Sequence, residues 1–438
     1  MKAYPVRSWG RLNADPHLVL SPRNTDEAWQ LMKAAGKAGE TLCAFGLGRS
    51  YGDSCLNPSG RLIKLGLMDH FISFDRESGL LRAEAGVSLA EVLKACIPAG
   101  WFLPVTPGSQ HVTLGGAVAN DVHGKNHHVA GTFGAHVKAL ELLTSDGLRH
   151  TLEPRHPRFS ATVGGLGLTG LITWVELQLS PIGSAFVESE QQEFSGLDEF
   201  IQISEDAEQA WPYTVAWLDC VNLHNGKPRG IFIRGRFSSN GDFPVKSLAG
   251  KPSVPLDLPG FSLNRWTVGL FNRAYYQLQR RRRQQLQHYQ PFFYPLDGID
   301  QWNRVYGRKG FYQYQFVVPH GRAEEAMVQV LQRVTHSGQA SFLSVLKRFG
   351  DQPSPGLLSF PQSGLTLAMD FRNRGQATLD LLESLDRVVL DAGGRIYPAK
   401  DARVSAASFR SMYPLAQRFE QYVDPLFCSD FWRRVWHD

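Results

Sequence analysis

Apolar positions recur along the chain with two periods, and the change from one to the other divides it. "NTDEAWQLMKAAGKAG" repeats at helical spacing, with Thr25 as cap, acids in the first turn, and Gly36 and Gly39 near its end. "TLCAFGLG" predicts a strand entering a glycine turn, and "LLRAEAG" a second strand. "SLAEVLKACIPAG" predicts a helix opened by a capping box, Ser88 to Glu91, and closed at Gly100. The strict alternation of "LITWVELQLS", Leu171 to Ser180, predicts a strand with one buried face.

The rhythm changes near Gly183. "YTVAWLDC" and "RGIFIRGRF" predict strands separated by a turn-rich stretch. "FYQYQFVVP" and "LTLAMDF" are strands, each followed by a long helical pattern and a further strand, "SFLSVLKRFG" and "RIYPAKD". Two strand–helix–strand units of similar length predict a mixed or antiparallel sheet with helices on one face. The fold class is α+β, divided as residues 1–182, 183–394 and 395–438, the last segment returning to the first domain.

Composition narrows the classes. At 438 residues the chain exceeds one ordinary core, and 43% hydrophobic with 20% charged residues describes a folded globular protein. No apolar run approaches the ~18 residues that span a bilayer, and "MKAYPVRSWG" lacks a secretory apolar region. The expectation is a cytoplasmic protein. Five scattered cysteines without C-x-x-C spacing argue against a disulfide framework and a zinc site. A net charge of +5 allows an anionic partner without choosing one.

Three glycine clusters lie in the first domain: "GLGRSYGD" (46–53), "PGSQHVTLGGAVAND" (107–121) and "GGLGLTG" (164–170). A nicotinamide fingerprint needs a helix directly after its glycine turn. "DSCLNPSG" follows the first cluster and a strand follows the third, so that fingerprint is disfavoured. What remains is backbone that can approach a ligand closely, suited to a pyrophosphate. Between them "NDVHGKNHHVAGTFG" gathers His123, Lys125, His127 and His128. His123 and His127 have metal-like spacing, but Gly124 and Asn126 oppose a helix and no Glu or Cys completes a set. A metal site, a solvated basic loop and an active-site wall are the three readings.

These clusters, with "WNRVYGRKGFYQYQFVVP", "YPAKDAR" and "VDPLFCSDFWRR", resemble the vanillyl-alcohol-oxidase superfamily with its PCMH-type FAD-binding domain. Within it the closest resemblance is to the flavoprotein subunits of decaprenylphosphoryl-ribose 2-epimerases. The resemblance spans nearly the whole chain and favours the active-site wall, without a metal. It implies a two-domain fold with FAD along Gly46, Gly48, Arg49, Ser50, Tyr51, Gly52, Pro107, Gly108, Gly115, Gly116, Asn120, His123 and Gly124. Gly170 and Ile172 would reach the adenosine end or the ring edge. The first glycine loop lacks the histidine to which many members attach FAD, so the cofactor is expected to be non-covalent.

The resemblance also places Lys125 and Lys400 on the substrate side of the flavin. Lys400 is expected to act as general base or as a cation stabilising reduced flavin, the two roles left open. Lys125 and His123 would orient substrate or contact its phosphate, and Tyr51, Gln313 and Gln315 would add hydrogen bonds. Trp217 and Tyr294 are expected ring or apolar contacts. Where some members carry Asn-x-Cys, this chain has Thr366 and Ala368, which alters the pocket.

From Leu258 to Leu296 there are six arginines and no acid. Trp266, Leu270, Phe271, Ala274, Tyr275 and Leu278 recur at helical spacing beside Arg265, Arg273 and Arg280 to Arg283, the composition of an interfacial membrane helix. Residues 261–290 are therefore an expected peripheral contact with the inner membrane; no nucleic-acid module accompanies them. The expected reaction is oxidation of the C2 hydroxyl of a polyprenyl-phosphate pentose to the 2-keto sugar, the first half of a 2-epimerisation serving cell-envelope arabinose synthesis. A short-chain NAD(P)H-dependent reductase would be the partner. The competing readings are an alditol or aldonolactone oxidase and a catalytically silent flavoprotein partner.

Overall fold

In the computed structural model, which describes residues 3–224, 227–245 and 251–437, the first layer is a small sheet of short strands. β1 (Tyr4–Pro5), β2 (Pro16–Leu20), β3 (Leu42–Phe45) and β4 (Arg61–Lys64) lie in the order β1-β2-β4-β3. β2 and β3 both run parallel to β4, a geometry that needs a crossover, and α1 (Thr25–Lys37) supplies it. Its cap is Asn24, one residue before the expected Thr25: extended backbone there lets Asn24 Oδ1 accept from Glu27 N at 2.9 Å.

A second, antiparallel sheet is formed by β5 (Phe71–Asp75), β6 (Leu80–Glu84), β8 (Val137–Leu143), β9 (Arg149–Leu152) and β10 (Leu171–Gln178). The alternating run ends at Gln178, because Ser180–Pro181 (β11) turns away to pair with Trp101–Phe102 (β7). α2 (Leu89–Cys96) closes its capping box: Ser88 N donates to Glu91 at 2.8 Å and Glu91 N to Ser88 Oγ at 3.2 Å. Short helices α3 (Leu114–Ala119), α4 (His127–Ala130) and α5 (Pro157–Thr162) punctuate the glycine loops.

The remaining strands form one eight-stranded antiparallel sheet: β12 (Phe186–Ser195), β13 (Tyr213–His224), β14 (Lys227–Phe237), β15 (Gln284–His288), β16 (Phe311–Val318), β17 (Ser344–Phe349), β18 (Gly364–Arg372) and β19 (Arg395–Ile396). Period-two alternation gives it two faces. Leu218, Phe232, Tyr314, Phe316, Leu346, Leu367 and Met369 enter a core with α6 (Leu197–Ala207), α9 (His320–His336) and α10 (Gln376–Asp391). The intervening Val215, Trp217, Gln313, Gln315, Val345, Lys347 and Ala368 line a cavity. α7 (Arg265–Gln279) lies across β13 and β14, and α8 (Tyr289–Phe293) follows β15.

After β19 the chain returns to the first sheet, where Leu42 N donates to Leu426 O at 2.7 Å and Cys428 N to Leu42 O at 2.8 Å. Leu426 and Phe427 join the first core while Phe431, Trp432 and Val435 join the second. A short tail thus belongs to both.

Candidate active site

The glycine clusters and the polar face of the large sheet meet in one cavity of about 1220 Å³. Gly46, Gly48, Arg49, Ser50 and Tyr51 line it from the first loop, Pro107, Gly108, Gly115, Gly116, Asn120, His123 and Gly124 from the second, and Gly170 and Ile172 from the third. A Cβ at Gly124 would fall 2.9 Å from Thr106 O, and one at Gly115 would fall 2.9 Å from Ala85 Cβ, so only backbone fits there. Such a wall admits a flat, phosphate-linked ligand against the main chain. Gly52 is the exception among the expected cofactor residues: it is absent from the wall. A Cβ there would fall 1.5 Å from Asp401 O, so Gly52 serves a backbone contact with the C-terminal segment.

The histidine cluster separates in three dimensions. His123 faces the cavity, and its ring lies between Lys347 Nζ at 3.2 Å from Nδ1 and the Gln315 amide at 3.0 Å from Nε2. Both neighbours are N–H donors and a neutral imidazole accepts at one nitrogen only, so as placed it satisfies one of the two. Burial pushes its pKa well below the ordinary value, with Lys347 adding to the effect. His127 begins α4, packs at a tilt on Phe349 with ring centroids 4.4 Å apart, and has no hydrogen-bond partner at either ring nitrogen among the described residues. Burial holds it neutral, its pKa down at about 3. His128 turns the other way, to Trp211 O at 3.0 Å. An ammonium beside His123, with His127 against a phenyl ring, leaves the pair unsuited to a cation.

Three lysines converge on the cavity: Lys125, Lys347 and Lys400. Lys125 Nζ donates to Phe293 O at 3.0 Å, Lys347 Nζ also donates to Gly124 O at 3.2 Å, and Lys400 Nζ sits 3.7 Å above the Tyr51 ring. None forms an ion pair with a carboxylate among the described residues. Burial lowers Lys125 to about 8 and Lys400 to about 7, the latter opposed by Asp370. Lys347 falls to about 7 through burial and repulsion from the other two lysines. Asp370 accepts from Gln313 Nε2 at 2.7 Å and from Tyr306 OH at 2.8 Å; burial raises it to about 6.

The far end of the cavity is aromatic. Trp217 donates through Nε1 to Phe342 O at 3.2 Å and packs against Tyr275 of α7 at 4.9 Å. Tyr294 OH shares a hydrogen bond with Thr106 Oγ1 at 2.7 Å. Phe271, Tyr275, Gln279 and Arg282 bring α7 and the turn after it into the wall, opposite Leu286 of β15.

Sequence reasoning missed Lys347, Asp370 and this contribution of α7. The available signal was parity: in "SVLKRF", Lys347 shares the face of Val345, opposite the core residue Leu346. Nothing local showed that the face opens on a cavity.

Comparison with known proteins agrees with this geometry. Residues 16–153 match the FAD-binding domain family. The chain is 36% identical to the decaprenylphosphoryl-β-D-ribose oxidase of Mycolicibacterium smegmatis, over 98% of this chain and 97% of that protein. It is 34% identical to an uncharacterised Streptomyces coelicolor protein encoded in the mprA 5′ region, over 80% of this chain and 100% of that one. An alditol oxidase from a Streptomyces species matches only 40% of this chain, at 28% identity. The lined glycine loops fit FAD, and the likeness extends through both domains: the chain belongs to the decaprenylphosphoryl-β-D-ribose oxidase family and is an FAD-dependent oxidoreductase.

Proposed function

We propose that the protein oxidises the C2 hydroxyl of a polyprenyl-phosphate pentose to the 2-keto sugar. The observation that carries this reading is the continuity of a single cavity, from the glycine loops past three lysines lacking carboxylate partners to an aromatic end under α7. A phosphodiester supplies the negative charge these lysines lack, and a prenyl chain suits the aromatic end. Bound along Gly46–Tyr51, Pro107–Gly124 and Gly170–Ile172, FAD supplies the hydride acceptor.

The chain's own groups do the rest. Lys400, held near neutrality by burial, takes the proton leaving the C2 hydroxyl. Lys125 and Lys347 hold the phosphate, His123, itself bonded to Gln315, fixes Lys347, and Gln313 orients the sugar from its bond to Asp370. The division at 182/183 is supported by the eight-stranded sheet beginning at Phe186, whereas 394/395 lies just before that sheet's last strand, Arg395–Ile396, which stays paired with β16.

A prenyl-phosphate substrate resides in a membrane, and no helix among the described residues is long and apolar enough to cross one. Trp266 is 86% exposed, Leu270 71% and Phe261 79%, beside arginines and next to the cavity's aromatic end. This supports a peripheral seat on an anionic leaflet with the substrate entering beneath α7. The 2-keto product then requires a hydride-donating reductase, for which a separate short-chain NAD(P)H-dependent enzyme is the partner.

Anaerobic addition of prenyl-phosphate pentoses and of free alditols to the FAD-loaded protein tests the reading. The prenyl-phosphate pentose is expected to bleach the flavin absorbance. Bleaching by free alditols alone would replace this reading with a soluble-polyol oxidase.

A further inference from the structure

The Lys400 side chain reaches the cavity from a tight turn, residues 397–404, whose Tyr397 and Ala399 pack with Val317, Phe349 and Phe360 while Val404 joins the second core. Tyr397 N donates to Gln315 O at 2.9 Å, and Tyr51 N donates to Ala399 O at 2.9 Å, tying the turn to the large sheet and to the first glycine loop. The Asp401 carboxylate, 3% exposed, accepts from Arg403 N and Val404 N at 3.1 to 3.3 Å. Those bonds shape the turn but do not attach it to the cofactor loop.

Besides the Tyr51–Ala399 bond, a second attachment to that loop comes from the helical turn that carries Arg434. Arg434 donates through Nε and Nη2 to both oxygens of Asp53 at 3.0 and 2.9 Å, and Nη2 also lies 3.0 Å from Asp401 Oδ2. Its Nη1 donates to Val404 O. A planar guanidinium can hold two carboxylates and a carbonyl at fixed angles, which a lysine cannot. Asp53 directly follows Gly52, and Gly52 is pressed against the Asp401 carbonyl. On the far side, Arg403 holds Asp386 of α10 in a two-pronged pair, and Tyr314 OH donates to Asp386 Oδ1 at 3.0 Å. The lysine turn is thus clamped between α10 and the glycine loop, with Arg434 as the joint on the cofactor side.

We infer that Arg434, in the last turn of the chain, is a positioning residue for Lys400: by bridging Asp53 and Asp401 it sets the lysine against Tyr51 and the cofactor loop. The inference rests on Lys400 being the proton acceptor beside the flavin. Burial makes the clamp sensitive to its charge balance, since a carboxylate left unpaired in that setting is strongly disfavoured.

The test compares Arg434→Gln, Arg434→Lys and Lys400→Ala in the FAD-loaded protein. Arg434→Gln is expected to retain FAD and substrate affinity while slowing flavin reduction at saturating substrate on the order of 10²-fold, as a displacement of about 1 Å would do. Arg434→Lys should recover part of the rate. Combined with Lys400→Ala, Arg434→Gln should cost almost nothing further, because both act through one amine. A second readout needs no substrate: the reduction potential of bound FAD should shift in the same direction in Arg434→Gln and Lys400→Ala. A folded, FAD-loaded Arg434→Gln with wild-type rate and potential, or losses that multiply with those of Lys400→Ala, would overturn the inference. If Arg434→Gln does not fold, Asp401→Asn, which leaves the Arg434–Asp53 pair in place, must show the same losses; unchanged behaviour there also overturns it. Failure of prenyl-phosphate pentoses to reduce the wild-type protein would reject the substrate reading instead, leaving the potential measurement to decide on Arg434.

Discussion

Three buried lysines without carboxylate partners mean that each titrates far below its ordinary value of 10.5. Unfolding returns them to water and to that value, so the unfolded chain binds protons that the folded one has released. Between pH 7 and 8 the protein without substrate should therefore gain stability as pH rises, and its thermal midpoint should climb. The window lies above the ordinary histidine value of 6.5 and below the ordinary cysteine value of 9.0, so other groups interfere little. Lys347→Met should flatten the climb. The same substitution should weaken binding of the phosphate-bearing substrate about 10- to 100-fold, the worth of one charge-assisted hydrogen bond, measured by titrating flavin absorbance. Lys125 and Lys400 were legible from their motifs; Lys347 was not, because a lysine in an apolar strand shows its value only when the second glycine loop brings His123 and the Gly124 carbonyl to it.

Among the elements, α7 shows how far periodicity reaches. The spacing of Trp266, Leu270, Phe271 and Leu278 predicted a helix with an apolar stripe, and the helix is there. Its buried side is instead Val268, Gly269, Asn272 and Tyr276, with Asn272 Nδ2 donating to the buried Asp219 at 2.9 Å and Tyr276 OH to Glu193 at 2.6 Å. A helix seated on these bonds leaves Trp266, Leu270 and Leu278 outward, while Phe271 and Tyr275 turn to the cavity. The tract Arg280–Arg283 follows the helix as a turn into β15, so the basic charge gathers at one end rather than along a face. Replacing Trp266 and Leu270 with serine should weaken pelleting with anionic liposomes in low salt by tenfold or more, given about 1.5–3 kcal/mol for each large apolar side chain buried. Bleaching by a short-chain, water-soluble substrate should persist. Equal pelleting of both proteins would remove α7 as the membrane contact.

At the scale of the whole molecule, the C-terminal tail is the joint: it pairs with β3, enters both cores and carries Arg434. At Gly52 the cofactor loop lies against the Asp401 carbonyl with no room for a Cβ. Gly52→Ala forces that backbone apart and should destabilise the protein by about 1–3 kcal/mol, the usual cost of overpacking. Lower FAD loading, read as the ratio of flavin to protein absorbance, should accompany a lowered thermal midpoint. A fully loaded variant of unchanged stability would mean that the contact yields freely.

The amino-acid order alone determined the helices with caps, the strands with strict alternation, the glycine loops and the family resemblance, because each of those depends on neighbours within about 20 residues. The tertiary structure alone decided which lysines share a cavity, which of three clustered histidines faces it, and which face of α7 meets water. Those outcomes depend on burial and on partners such as Asp370 and Arg434, brought together across hundreds of residues by the packing of two sheets and a returning tail. Local pattern fixes backbone conformation; desolvation and charge pairing, which set the chemistry, exist only once the distant surfaces have met.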